Sequence, residues 1–141
     1  MSKILFFSFI IIWSSGISQE REKLLFEKNQ VRIKAILTDC ERKDNGTHIQ
    51  YYYIQIENLS KNNVNISFLK EIWYNNKCIS CTGSKNFEYS FSDSFPPNSI
   101  KTGDCFINTE KQYRVFSKML NVKSNSTLTD FSISEVNINQ L

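Results

Sequence analysis

The chain is predicted to be all-β, an antiparallel β-sandwich of about seven strands. Three observations predict it. Apolar and polar residues alternate at period two in successive short runs. Turns rich in Asn, Gly or Pro separate those runs. Aromatic and β-branched residues fill them, and no segment keeps the 3.6-residue apolar period of an amphipathic helix.

Residues 1–18 precede the sandwich. Lys3 supplies a positive start, Ile4 to Trp13 is apolar except for Ser8, and Gly16 and Ser18 are the small residues of a cleavage site. This reads as a secretory signal peptide cut after Ser18. As a membrane anchor the apolar run is too short, because a spanning helix needs about 20 residues. No cysteine lies near the cut to carry a lipid. Cleavage leaves 123 of the 141 residues, enough for one domain with one core. Residues 19–30 read as a polar lead-in, with Leu24, Leu25 and Phe26 as its only apolar residues, and residues 31–141 as the β-sandwich domain.

Val31, Ile33, Ala35 and Leu37 alternate with Arg32 and Lys34, giving the first strand. Asn45-Gly46 signals a two-residue type I′ hairpin, in which both central residues take positive φ. His48 to Asn58 returns, with Tyr52, Ile54 and Ile56 on one face and Tyr51, Tyr53, Gln55 and Glu57 on the other. The cluster NLSKNN turns the chain, and Val64 to Tyr74 is the third strand. Lys70 falls on its apolar face, so a bulge near Lys70–Glu71 is expected, turning Trp73 inward. Asn75-Asn76 is a second tight turn. A fourth strand starts at Lys77, is interrupted at Gly83-Ser84, and resumes through Phe87, Tyr89 and Phe91. Pro96-Pro97-Asn98 enforces a turn into a fifth strand, Ser99 to Ile107. Gln112 to Val122 is apolar on both faces and reads as a central strand. Phe131 to Ile138 closes the domain, and a change of phase between Phe131/Ile133 and Val136/Ile138 predicts a bulge.

Composition excludes several functions. The formal charge is +3, or +2 once Lys3 leaves with the signal, and the basic residues are scattered among Asp and Glu. A nucleic-acid binder would carry a concentrated basic face. No later segment is apolar enough to span a bilayer. The abundance of Asn, Lys, Ile and Ser matches codon bias in an AT-rich genome. The N-x-[ST] triplets at Asn45, Asn58, Asn65 and Asn125 arise by chance in such a chain.

Strand directions place Cys40, Cys78, Cys81 and Cys105 at one end of the sandwich, together with His48, the only histidine. An even cysteine count in an exported domain argues for disulfides, and sequence leaves three pairings open. Cys78–Cys81 with Cys40–Cys105 is preferred; two cross-sheet bonds to the Cys78/Cys81 loop are the alternative. Two functional readings compete. Cys78-Ile79-Ser80-Cys81 has redox spacing but lacks the helix N-terminus that activates such thiols. The four cysteines, with or without His48, could instead ligate zinc, although only one C-x-x-C knuckle is present. No catalytic constellation accompanies His48, so no enzyme and no cofactor are expected. Tyr51, Tyr53 and Trp73 are candidates for an exposed surface that stacks on a sugar or anchors a protein.

Across Val31 to Ile107, the runs IQIENLSKNNVNISF, IWYNNKC and SFPPNSIKTGDC resemble Ig-like, fibronectin-III-type sandwiches. The chain is also similar to small exported proteins of unassigned function from Gram-negative bacteria. The resemblance implies a fold and no active site. The expected function is an exported, non-enzymatic binding or structural module, periplasmic or extracellular, with a protein or glycan partner. The alternatives are a thiol-redox or metal protein using Cys78 and Cys81, and a carbohydrate-binding module using the aromatics.

Overall fold

A computed structural model describes residues 21–81, 88–106 and 110–141. The expected signal peptide, the interruption at Gly83-Ser84, and the positions Phe87 and Ile107 lie outside these residues. The described chain is all-β. Its strands are β1 (Glu22–Lys28), β2 (Val31–Arg42), β3 (Thr47–Asn58), β4 (Val64–Tyr74), β5 (Lys77–Cys78), β6 (Ser90–Phe95), β7 (Ser99–Thr102), β8 (Arg114–Met119) and β9 (Leu128–Gln140). A single 3-10 turn, Lys111–Tyr113, leads into β8.

The strands form two antiparallel sheets. In the first, β1, β2 and β3 pair in order, and the far edge of β3 is shared by β7 along Gln55–Asn58 and β8 along Ile49–Tyr53. In the second, β4 is central, with β9 on one edge and β5 and β6 sharing the other. The inner faces meet in a core of Val31, Ile33, Ile54, Ile56, Val64, Ile66, Phe68, Phe91 and Phe95, each no more than 2% exposed. Phe68 and Phe91 stack at 4.5 Å, and Tyr113 meets Phe91 edge-on at 5.0 Å. Such offset and edge contacts add to plain burial of aromatic area.

Several expectations change. Within the expected polar lead-in, Glu22–Lys28 form β1, which pairs along β2. A bulge between Leu24 and Phe26 breaks the strand's alternation, so Leu25 and Phe26 can both pack on the core. The β1–β2 hairpin turns on Asn29 (φ 53°) and Gln30 (φ 61°). That is the positive-φ pair expected instead at Asn45-Gly46. The β2–β3 loop is longer, because Arg42 pairs with Thr47, and only Gly46 (φ 66°) has positive φ within it. There Asn45 Oδ1 accepts hydrogen bonds from the Thr47 amide and hydroxyl. Asn75 (φ 49°) and Asn76 (φ 63°) do form the tight turn expected of them.

β4 carries no bulge at Lys70–Glu71. Val64, Ile66, Phe68, Lys70 and Ile72 alternate inward without interruption, and Trp73 faces away. The extra residue lies in β9, where Ser67 pairs with Asn137 but Leu69 with Ser134, and Glu135 takes φ 51°. This is the bulge expected in the closing strand. β8 is an edge strand, not a central one. The fifth strand is shorter than expected, ending at Thr102.

One buried amide locks the opposite end of the sandwich. Asn58 is fully buried, and its Nδ2 donates to the carbonyls of Asn62 (2.9 Å), Phe95 (3.2 Å) and Pro96 (2.9 Å). Its Oδ1 accepts from the Ser60 amide and hydroxyl. The residue therefore joins the β3–β4 loop to the β6–β7 turn, and its nitrogen is committed although it heads an N-x-[ST] triplet. Asn58→Ala would strand buried carbonyls and is expected to cost about 2 kcal/mol. Urea unfolding measures this; a loss below about 0.5 kcal/mol would place the site in the range of ordinary surface changes.

Candidate functional site

The cysteines pair as Cys40–Cys105 and Cys78–Cys81, with Cα separations of 5.5 Å and 5.7 Å. The bonds belong to different sheets. The first ties the segment after β7 over the outer face of the first sheet. Tyr53, on that face, is only 2% exposed, and its hydroxyl lies 3.2 Å from Cys40 Sγ. A disulfide sulfur carries no proton, so the hydroxyl is the donor. The segment approaches so closely that a Cβ on Gly103 would sit 2.6 Å from Tyr53 Cδ1. The second bond closes the loop that follows the Asn75-Asn76 turn. Cys78 sits on a two-residue strand, not at a helix N-terminus. His48 contributes backbone contacts: its amide donates to Asn121 Oδ1, and its carbonyl accepts from the Leu120 amide. Among the described residues, no group of three or more His, Cys, Asp or Glu side chains is placed to hold a metal ion.

The aromatic surface does not assemble as expected. Tyr53 is buried under the Cys105 segment, and Trp73 lies on the outer face of the second sheet, pairing with Cys78 and Asp130 across its neighbours. Tyr51 lines a cavity, in different company.

That cavity follows from how the sandwich closes. On one flank, Lys23 of β1 bridges to β9, donating to Asp130 Oδ1 (3.0 Å) and to the Phe131 carbonyl (2.6 Å). On the other flank, the outer edge of β8 faces the β4–β5 hairpin and Tyr89. A cleft of about 330 Å³ opens there, within the size range of small-molecule sites. Tyr51, Tyr74, Tyr89 and Phe116 give it aromatic walls, Ile72, Ile79 and Val115 give it an apolar floor, and Lys70, Lys111, Arg114 and Glu88 give it charge. The Tyr74 hydroxyl donates to the Phe116 carbonyl at 2.7 Å, spanning the two sheets. Arg114 lies over the Tyr51 ring at 5.1 Å, a cation–π contact.

Lys70 is the unusual member. It occupies an inward position of β4 and is 2% exposed. Its Nζ donates to the Gln112 carbonyl at 3.3 Å, its one hydrogen bond among the described residues. Burial pulls its pKa down to about 8; Glu88 opposes this and Arg114 reinforces it. None of Lys70, Lys111 and Arg114 forms an ion pair among the described residues. The Cys78–Cys81 loop shapes one wall. Ser80 Oγ accepts from the Ile72 amide and donates to the Lys70 carbonyl, both at 2.8 Å, and the Ile79 amide bonds the Ile72 carbonyl at 2.9 Å.

Sequence reasoning missed this cleft. Its signal in the sequence is the charge at Lys70 in an otherwise apolar column, a pattern that a bulge would equally explain. The remaining residues come from three strands, two loops and the 3-10 turn, so no spacing rule gathers them. Among the described residues, no helix is long and apolar enough to cross a membrane. No protein-family model, curated protein or solved structure matches the chain.

Proposed function

We propose that this chain is an exported, non-enzymatic binding module whose ligand occupies the cleft between β8 and the β4–β5 hairpin. One observation carries the reading: aromatic walls converge with three cations that lack carboxylate partners among the described residues. Pockets that combine apolar walls with a few placed polar groups are the usual form of a ligand site. Two cysteine pairs at bonding distance support an oxidising destination, periplasmic or extracellular, as does the signal-like N-terminus. The carbohydrate reading survives in altered form, with Tyr51, Tyr74 and Tyr89 replacing Tyr51, Tyr53 and Trp73. The thiol-redox alternative has no comparable support, because the Cys78–Cys81 sulfurs lack an activating helix dipole.

The test is a fragment screen on the isotopically labelled mature chain, read by amide chemical shifts. Hits are expected to perturb Tyr51, Tyr74 and Tyr89 together. Ile79→Trp, at a site already 41% exposed, should fill the cleft and abolish those shifts without unfolding the protein. Hits that cluster elsewhere would refute the cleft, and chemical turnover of a bound fragment would refute the non-enzymatic reading.

A further inference from the structure

We infer that the cleft is built for a ring-bearing carboxylic acid, with the carboxylate on Lys70 and the ring against the tyrosines. This rests on the cleft being the binding site and goes further by naming its ligand class.

The argument begins with Lys70. An ammonium has three protons to donate, and this one uses a single 3.3 Å bond to Gln112. A buried charge is costly unless paired and hydrogen-bonded. No carboxylate of the described chain pairs with it, and the one in the cleft wall, Glu88, acts on it through space. Some exposed cations elsewhere have partners, Lys34 with Glu22 at 2.8 Å, Arg32 with Glu27 at 3.1 Å and Lys101 with Asp93 at 2.8 Å, and those without one can rely on water, which an interior ammonium cannot. An amine left under-bonded in an interior position therefore fits a role that an incoming anion completes.

The surroundings select the kind of anion. Lys111 and Arg114 add positive charge to the same cleft, and among the described residues that line it Glu88 is the one acid, so the balance favours a negative guest. Arg114 is already engaged with the Tyr51 ring, which suits it to steering and leaves Lys70 as the direct partner. A bare inorganic anion would leave the tyrosine walls unused. A ring bearing one carboxylate uses both, since π-faces stack on planar or apolar ring surfaces. A volume of about 330 Å³ accommodates one ring with its substituent.

Two sources supply that chemistry, an aromatic acid and a sugar acid. The experiment titrates the mature chain with benzoate and with galacturonate, against methyl benzoate and galactose as uncharged counterparts. Binding is followed by amide shifts and calorimetry. At least one acid is expected to bind at the cleft about tenfold or more tightly than its uncharged counterpart, the worth of one charge-assisted hydrogen bond. Lys70→Met should remove that preference while leaving the uncharged probe unaffected; its melting curve verifies the fold. The comparison of acid with neutral probe on the unaltered protein needs no variant. The acid that binds identifies the ring type. Neutral probes binding at the cleft as well as the acids would overturn the acid assignment and leave the cleft standing. Shifts that map outside the cleft would overturn the cleft itself. Silence from all four probes would overturn the ligand class.

Discussion

Replacing Cys40 and Cys105 together by alanine is expected to destabilise the protein by about 4 kcal/mol. The bond joins residues 65 apart in sequence. Its removal restores the conformational freedom of that loop in the unfolded chain, by about 4 kcal/mol on the loop-closure relation. The same relation gives only about 1–2 kcal/mol for Cys78–Cys81, whose partners are three apart. The contrast is the test. Urea unfolding of the two double variants should separate their midpoints clearly, with the Cys40/Cys105 variant the weaker. Equal losses would mean that close packing of Gly103 on Tyr53 holds the segment after β7 without the bond. Domains of this size are typically stable by only about 5–15 kcal/mol. A loss of about 4 kcal/mol would remove a large share of that margin wherever the bond is reduced.

The smaller bond is expected to matter locally. Ser80, held between Cys78 and Cys81, bonds β4 at Ile72 and Lys70, the stretch that lines the cleft. Opening the loop would loosen that wall while leaving the core of Phe68, Phe91 and Phe95 intact.

The alternating strands and asparagine turns were legible in the sequence because each signal is local. Period-two alternation reports a strand with one buried face whatever it pairs with, and Asn75-Asn76 adopts positive φ as its chemistry allows. β1 was not legible because a bulge hides its period and because its turn uses Gln30, a residue without special tolerance of positive φ. The place of β8 was also hidden. Apolar residues on both faces suggest a strand with neighbours on both sides. Here they cover different things: Val115 packs in the core, while Phe116 meets Tyr51 and Tyr74 at the sheet edge. The cleft depends on which edges oppose each other, and that is a property of topology. Tyr53 illustrates the same limit. Alternation places it on the outer face, but the segment that carries Gly103, 50 residues further along the chain, packs on it there.

Lys70→Met is expected to stabilise the protein at neutral pH, by up to roughly 3 kcal/mol. A pKa lowered from 10.5 to about 8 corresponds to that much free energy against the charged form in the folded state. Methionine has a similar reach, is apolar and fills irregular space well. Replacing an unpaired buried charge by an apolar side chain removes its desolvation cost, and the Gln112 carbonyl loses only one long hydrogen bond. The pH dependence has a definite sign. Because the folded pKa is depressed, the unfolded chain binds more protons between about pH 8 and 10.5, so stability rises with pH there. The penalty is complete below about pH 8 and gone above 10.5. Tyrosine ionisation opposes this at the top of the window. Burial raises Tyr74 to about 12, with Tyr89, Glu88 and Tyr51 adding to it. Its contribution is therefore full below pH 10 and lost as pH rises through about 12. The difference in stability between Lys70→Met and the unaltered protein should accordingly shrink from pH 7.5 to pH 10, as measured by urea unfolding at each pH. A variant that is less stable at pH 7.5 would show that the amine has partners sufficient to offset its burial, and the case for an anionic guest would fail with it. A more stable variant that loses the preference for acids would show an amine kept at a cost to the fold and used in binding.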